Sequence, residues 1–270
     1  MIGVLIIGII LYAAAGIVYA GVLTANTDST LNTVVSHQNS LNTAFAAINT
    51  EVTALGGNGT FNAQQTVGLV NKSVASSQTA TITIDEDDAS LASIQRQMNG
   101  SRWLTIIGRS GVDREVSRVD HARNALAAAR TISADENSDL QFWLSLYTSL
   151  AELDTLNSQA GGGDFNAAKT TLAKMQGDVG EAIKESTAPG LPPELHALML
   201  DLQNFVNDYS KQLDAQIAGD DTTVAQLQGS IDSDREKLGT YDVDKIGTDI
   251  DAFYAPLINR FNSEMSAATS

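Results

Sequence analysis

Residues 1–23, MIGVLIIGIILYAAAGIVYAGVL, are apolar or weakly polar throughout and carry no charged side chain. As a helix rising 1.5 Å per residue, such a stretch reaches about 34 Å, enough to cross a hydrocarbon core of about 30 Å. A signal-peptide core is shorter, about 7–15 residues, and follows a basic segment that is missing here. Val18-Tyr19-Ala20 before Gly21 does have the form of a small-residue cleavage site. The pattern predicts a retained single-pass anchor over 1–25. Ala13, Gly16 and Ala20 recur at steps of three and four, which lets helix backbones approach closely, and Tyr19 stands near enough the end to anchor at the interface. Tyr12 shares the face of Tyr19 two turns away.

After Asp28 the pattern becomes a seam. Leu31, Val34, Gln38, Leu41, Phe45, Ile48, Val52 and Leu55 fall at alternating steps of three and four, a coiled-coil-like stripe with one polar member. Residues 2–55 therefore read as one long helix, stopped by GGNG at 56–59. The segment 62–98 is compatible with a helix packing back on the first through Val67, Val70, Val74, Thr81, Ile84, Leu91 and Met98. TATITI at 79–84 alternates like a strand, but a strand with no partner in an otherwise helical pattern is unfavourable, so a helix is expected. Residues 26–98 thus form a predicted helical hairpin, or stalk. Residues 99–112 read as a linker with a short apolar plug, Trp103 to Ile107.

From 113 the helical spacing is regular. Predicted helices span 113–131, 134–158, 164–187, 193–218, 221–239 and 243–265, with Pro256 expected to kink or restart the last. Ser133 with Glu136 has the form of a capping box, Asp164 of an N-cap, and Pro192 of a helix start. Short connections between such helices make antiparallel neighbours, so 113–270 reads as an up-down bundle. The fold class is all-α: an anchor helix, an amphipathic helix or hairpin, then a bundle.

Composition narrows the function. The 270-residue chain carries 32 acidic and 16 basic side chains, a formal charge of −16, which repels nucleic acid phosphates. It has no cysteine, which removes disulfides, thiolate metal sites and a cysteine nucleophile. His37, His121 and His196 stand in different segments, without the spacing of a helical metal site. His121, in VDHAR, reads as part of a surface ion-pair cluster with Asp120 and Arg123. DVDKIG at 242–247 and DSDRE at 232–236 begin like calcium loops, but lack the glycine, the coordinating side chains or the final Glu that such a loop requires. The acidic run Asp85 to Asp88 reads as a solvated face or a cap. Sequons at Asn58, Asn71 and Asn99 are short enough to arise by chance. No catalytic residue, metal site or cofactor is expected, and the chain is not expected to be an enzyme.

Three function classes remain. The first is a membrane-anchored, extracytoplasmic helical scaffold or accessory subunit held in lipid by residues 1–23, with the seam from Leu31 to Val52 as its protein-contact surface. The second is a subunit of a self-assembling filament or complex whose first helix packs against copies of itself. An uncharged N-terminal helix running into an amphipathic one resembles a type IV pilin stalk over about 55 residues. Leu5 stands where most such pilins keep a glutamate, and the remainder reads as helical instead of strand-rich, so the family is not assigned. The third is a ligand-binding or sensor-like bundle.

Overall fold

A computed structural model describes residues 27–57, 62–101 and 109–270. Seven helices, and no strand, occur among the described residues: α1 (Thr27–Gly57), α2 (Ala63–Ser101), α3 (Arg109–Gly161), α4 (Phe165–Glu185), α5 (Pro193–Ala218), α6 (Asp221–Leu238) and α7 (Val243–Thr269). The all-α expectation holds. The anchor predicted over 1–25 lies outside the described residues. Among those described, no helix is long and apolar enough to cross a membrane.

Helix ends follow local chemistry. The side chains of Asn62, Asp164, Asp220 and Asp242 each accept from a backbone N–H three residues on, satisfying a donor that the first helical turn leaves orphaned. Gly219, at φ 71°, ends α5 in the left-handed region, and its N–H reaches the carbonyls of Ala215 and Gln216.

Elsewhere the chain departs from local expectation. α2 runs unbroken through TATITI because Thr79, Thr81 and Thr83 each donate a hydroxyl back to the carbonyl four residues earlier, so the β-branched run keeps its polar groups satisfied inside a helix. The two helices predicted over 113–131 and 134–158 are one, the 53-residue α3. Ser133 does not cap. It donates instead to the Ser77 carbonyl at 3.2 Å and hydrogen-bonds Thr81 Oγ1 at 2.7 Å. Helices also extend into both ends of the predicted linker 99–112, while Trp103 to Ile107 lies outside the described residues. α7 passes Pro256 as a single helix.

The described chain forms two compact units. Unit 1 holds 50–57, 62–74 and 138–250, and unit 2 holds 27–49, 75–101, 109–137 and 251–270. The two compact units cut across the stalk predicted at 26–98 and the bundle predicted at 113–270, with parts of α3 and α7 grouped with α1 and α2.

Unit 2 is an up-down set of four helix segments. Thr27 Oγ1 meets Met98 Sδ at 3.9 Å and Gln38 meets Asp87, fixing α1 antiparallel to α2. Pairs of Arg123 with Asp88 and Arg130 with Asp85 fix α2 against α3, and His121 with Glu264 fixes α3 against α7. Its interior holds Phe45, Ile84, Leu91, Leu126, Ile132 and Tyr254. α3 contributes Ala122, Ala125 and Ala129, all fully buried, and small side chains of this kind let helices approach closely. On α7 the buried stripe steps by four from Ile246 and Ile250, which belong to unit 1, to Tyr254 in unit 2. Phe253, one position before Tyr254, is thereby turned outward and is 43% exposed.

In unit 1, α3 to α6 are successive antiparallel neighbours joined by short turns. α4 faces α5 through Gln176 with Asn207 at 3.3 Å, and α5 faces α6 through Gln212 with Gln228 at 2.9 Å. Phe142, Leu156, Leu172, Met175, Leu195 and Met199 are fully buried, each worth about 1.5–3 kcal/mol as a burial term.

Candidate functional site

The α1 seam is where sequence reasoning placed the contact surface. Leu31, Val34, Gln38, Leu41, Phe45 and Ile48 are all buried by the chain itself. A partner surface needs accessible side chains, so this stripe is internal packing. The physical reason lies on α2, where Ser77, Ala80, Ile84, Asp87 and Leu91 form a buried stripe at the same alternating steps. Its polar members disguise it in the sequence. The Val52 side chain lies outside the described residues, as do Tyr12, Ala13, Gly16, Tyr19 and Ala20.

Each helix of this pair carries one large polar member, and the two meet. Gln38 Nε2 approaches Asp87 Oδ2 at 3.5 Å, while Asp87 Oδ1 hydrogen-bonds His37 Nδ1 at 2.8 Å. Gln38 Oε1 is buried without a hydrogen-bond partner among the described residues. Such a polar layer lowers stability relative to an apolar one. It also penalises any slip of α1 along α2, since a shift would bury a carboxylate against leucine.

The acidic run on α2 is not a cap and is solvated only in part: Asp85 and Glu86 are exposed, Asp87 is buried and Asp88 half-buried. Asp88 accepts from Arg123 Nε at 2.8 Å, and Asp85 accepts from Arg130 Nε at 2.7 Å. Arg123 also donates to Gln95 Oε1 at 2.8 Å, and Gln95 donates to Asp120. Further toward the start of α3, Arg118 joins three helices. Its guanidinium donates to Asp28 on α1 at 2.8 Å, to Glu115 on α3 at 3.0 Å and to the Ala268 carbonyl on α7 at 2.9 Å. Burial works against its charge, but Asp28 and Glu115 outweigh it and raise the pKa above the usual arginine value. Sequence reasoning missed this network. The signal was the spacing of Arg123 and Arg130, seven residues apart on one helix face, as an answer to the acids at 85–88.

His121 hydrogen-bonds an acid, but not one of the neighbours VDHAR suggested. Its Nδ1 meets Glu264 Oε2 at 2.7 Å, and that hydrogen bond holds the Glu264 carboxyl below its ordinary pKa. His196 Nδ1 hydrogen-bonds the Ser186 hydroxyl at 2.7 Å, tying the α4 end to α5.

Unit 1 has its own buried carboxylate. Asp201 on α5 accepts from Lys237 Nζ at 2.5 Å and Tyr241 Oη at 2.6 Å. Burial disfavours its charge, yet these two donors prevail and hold the carboxyl below its ordinary value, while burial and Asp201 push the Tyr241 phenol up to about 12. Arg235 lies over the Phe205 ring at 5.6 Å, and Phe205 stacks on Tyr209. The residues that suggested calcium loops serve the helices instead: Asp242 caps α7, and Asp232 accepts from Gln228. Among the described residues, no group of three or more His, Asp or Glu side chains is arranged to hold a metal ion.

In both units several of the polar contacts join one helix to another. No protein-family model, curated protein or solved structure matches this chain.

Proposed function

We propose that this chain is a membrane-anchored helical scaffold or accessory subunit that works through protein contacts and not through catalysis. Residues 1–23 lie in lipid and the bulk of the chain lies outside the cytoplasm. The observation that carries the reading is the uncharged 23-residue stretch, which reaches the first residue of α1 after only three intervening residues. The body supports it, since α1 buries its seam within the chain and the helices are laced by their own ion pairs. Partner contacts then fall on exposed side chains such as Ile82, Leu200, Ile217 and Phe253.

A second reading rests on Ala13, Gly16 and Ala20, whose spacing suits close packing of the first helix against copies of itself in a filament. One experiment separates the two. Full-length protein is tested for resistance to alkaline extraction from membranes, then sized by light scattering in detergent beside a variant lacking residues 1–25. An alkali-resistant protein that is a discrete particle in detergent, and a truncated variant that is freely extractable, support the anchor. Extended polymers that vanish on truncation sink it in favour of the filament.

A further inference from the structure

The α3–α4 hairpin of unit 1 carries a ladder of side-chain pairs along one edge. Near the turn, Thr171 Oγ1 donates to Gln159 Oε1 at 2.8 Å. At the far end, Ser145 Oγ donates to Glu185 Oε2, also at 2.8 Å. Midway, seven residues along each helix from either neighbour, the same register sets Glu152 on α3 opposite Asp178 on α4. Two turns of helix separate successive rungs, so all three lie on the same edge.

The outer rungs have what a hydrogen bond requires, a hydroxyl donor facing an oxygen acceptor. The middle rung has two carboxyl groups, and ionised carboxylates only accept. Glu152 Oε2 is shut off from solvent and has no hydrogen-bond partner among the described residues. The missing donor is a proton. We propose that Glu152 and Asp178 form a proton-operated clasp: one shared proton completes the middle rung and holds α3 to α4, and its loss sets two carboxylates against each other and loosens the hairpin.

The energetics agree with this chemistry. Burial, and then the charge and hydrogen bond of Asp178, push the Glu152 carboxyl from 4.5 up to about 7, while Lys174 on α4 pulls the other way. Asp178 and Lys174 are the charged groups that act on Glu152. The folded hairpin binds that proton more tightly than the unfolded chain does. Its contribution is therefore fully present below pH 4.5, declines as pH rises, and is lost above about 7.

The test uses the full-length protein and E152Q, whose amide donates to Asp178 without a proton. Hydrogen exchange of the α3 and α4 amides is compared between the two proteins at each pH from 5 to 8, which cancels the intrinsic pH dependence of exchange. Protection is expected to be alike near pH 5. At pH 8 the wild type should be about tenfold less protected than E152Q, the full shift being discounted for partial solvent access. D178N, which supplies an amide from the other side, should behave like E152Q. A ratio that stays constant from pH 5 to 8 in both variants overturns the clasp, as does a pH-dependent loosening that E152Q and D178N share with the wild type.

Discussion

The two units use different cations. Among the described side chains, unit 2 carries six arginines and no lysine, and unit 1 carries seven lysines and one arginine. Arginine presents a planar fork of donors, so one side chain can serve several acceptors at fixed angles, whereas lysine is a point charge on a flexible stem. The contacts follow that difference. Arg118 ties α1, α3 and α7, and Arg123 takes both Asp88 and Gln95. In unit 1, by contrast, Lys184 and Lys211 pair with acids on their own helices at i,i+3, while Lys72, Lys169, Lys237 and Lys245 each reach a single acid on a neighbouring helix. Unit 2 therefore stakes its helix register on a few multivalent side chains. Unit 1 relies more on its aromatic and aliphatic interior, with Phe142, Trp143 and Tyr147 on α3 where unit 2 has alanines.

The sharpest way to break this contrast is Arg118→Ala, which takes the guanidinium away from Asp28, a side chain only 13% exposed. Urea denaturation should show a loss of about 2–4 kcal/mol. Arg118→Lys should recover little of it, because an ammonium cannot reach three helices at the fork's angles. Full recovery by lysine would remove the basis of the comparison.

Asp201→Asn tests the exception in unit 1, a lysine pair that is buried at the carboxylate. A loss of about 1–3 kcal/mol is expected at pH 7 from the weakened bonds to Lys237 and Tyr241. Because the folded Asp201 has a lowered pKa, its contribution is present above its ordinary 3.8 and is lost as pH falls through the lower folded value. The wild type should thus lose its advantage over the variant on acidification below about pH 4, a trend that parallel stability curves would refute.

Smaller effects calibrate the scale. Asp220→Ala removes the α6 cap and should cost about 1 kcal/mol by thermal unfolding. Lys184→Ala should change stability by about 0.5 kcal/mol or less, since both partners are solvent-exposed. If Lys184 matched Arg118 in cost, the cations would be interchangeable and the contrast would dissolve.

Those sizes also mark what was legible in the chain. Helix ends set by one side chain, such as Asp164 and Pro192, could be read because the signal and its effect lie within a turn. Ser133 and Glu136 misled because a capping pattern is local, whereas the partner that overrode it, Ser77, is 56 residues away. The α1 seam was visible, but not its cover, since Ser77 and Asp87 break the apolar stripe of α2. The arginine network was hidden for the same reason: Arg118 and the Ala268 carbonyl are 150 residues apart, and no windowed pattern spans that distance.

That last separation has a consequence for synthesis. A ribosome adding about 5–20 residues per second exposes Arg118 roughly 8–30 s before Ala268 exists. During that interval Tyr254, Phe261 and Met265, which close the interior of unit 2, are also missing. Until those side chains emerge, α1, α2 and the alanine face of α3 lack the α7 surface that covers them in the folded unit.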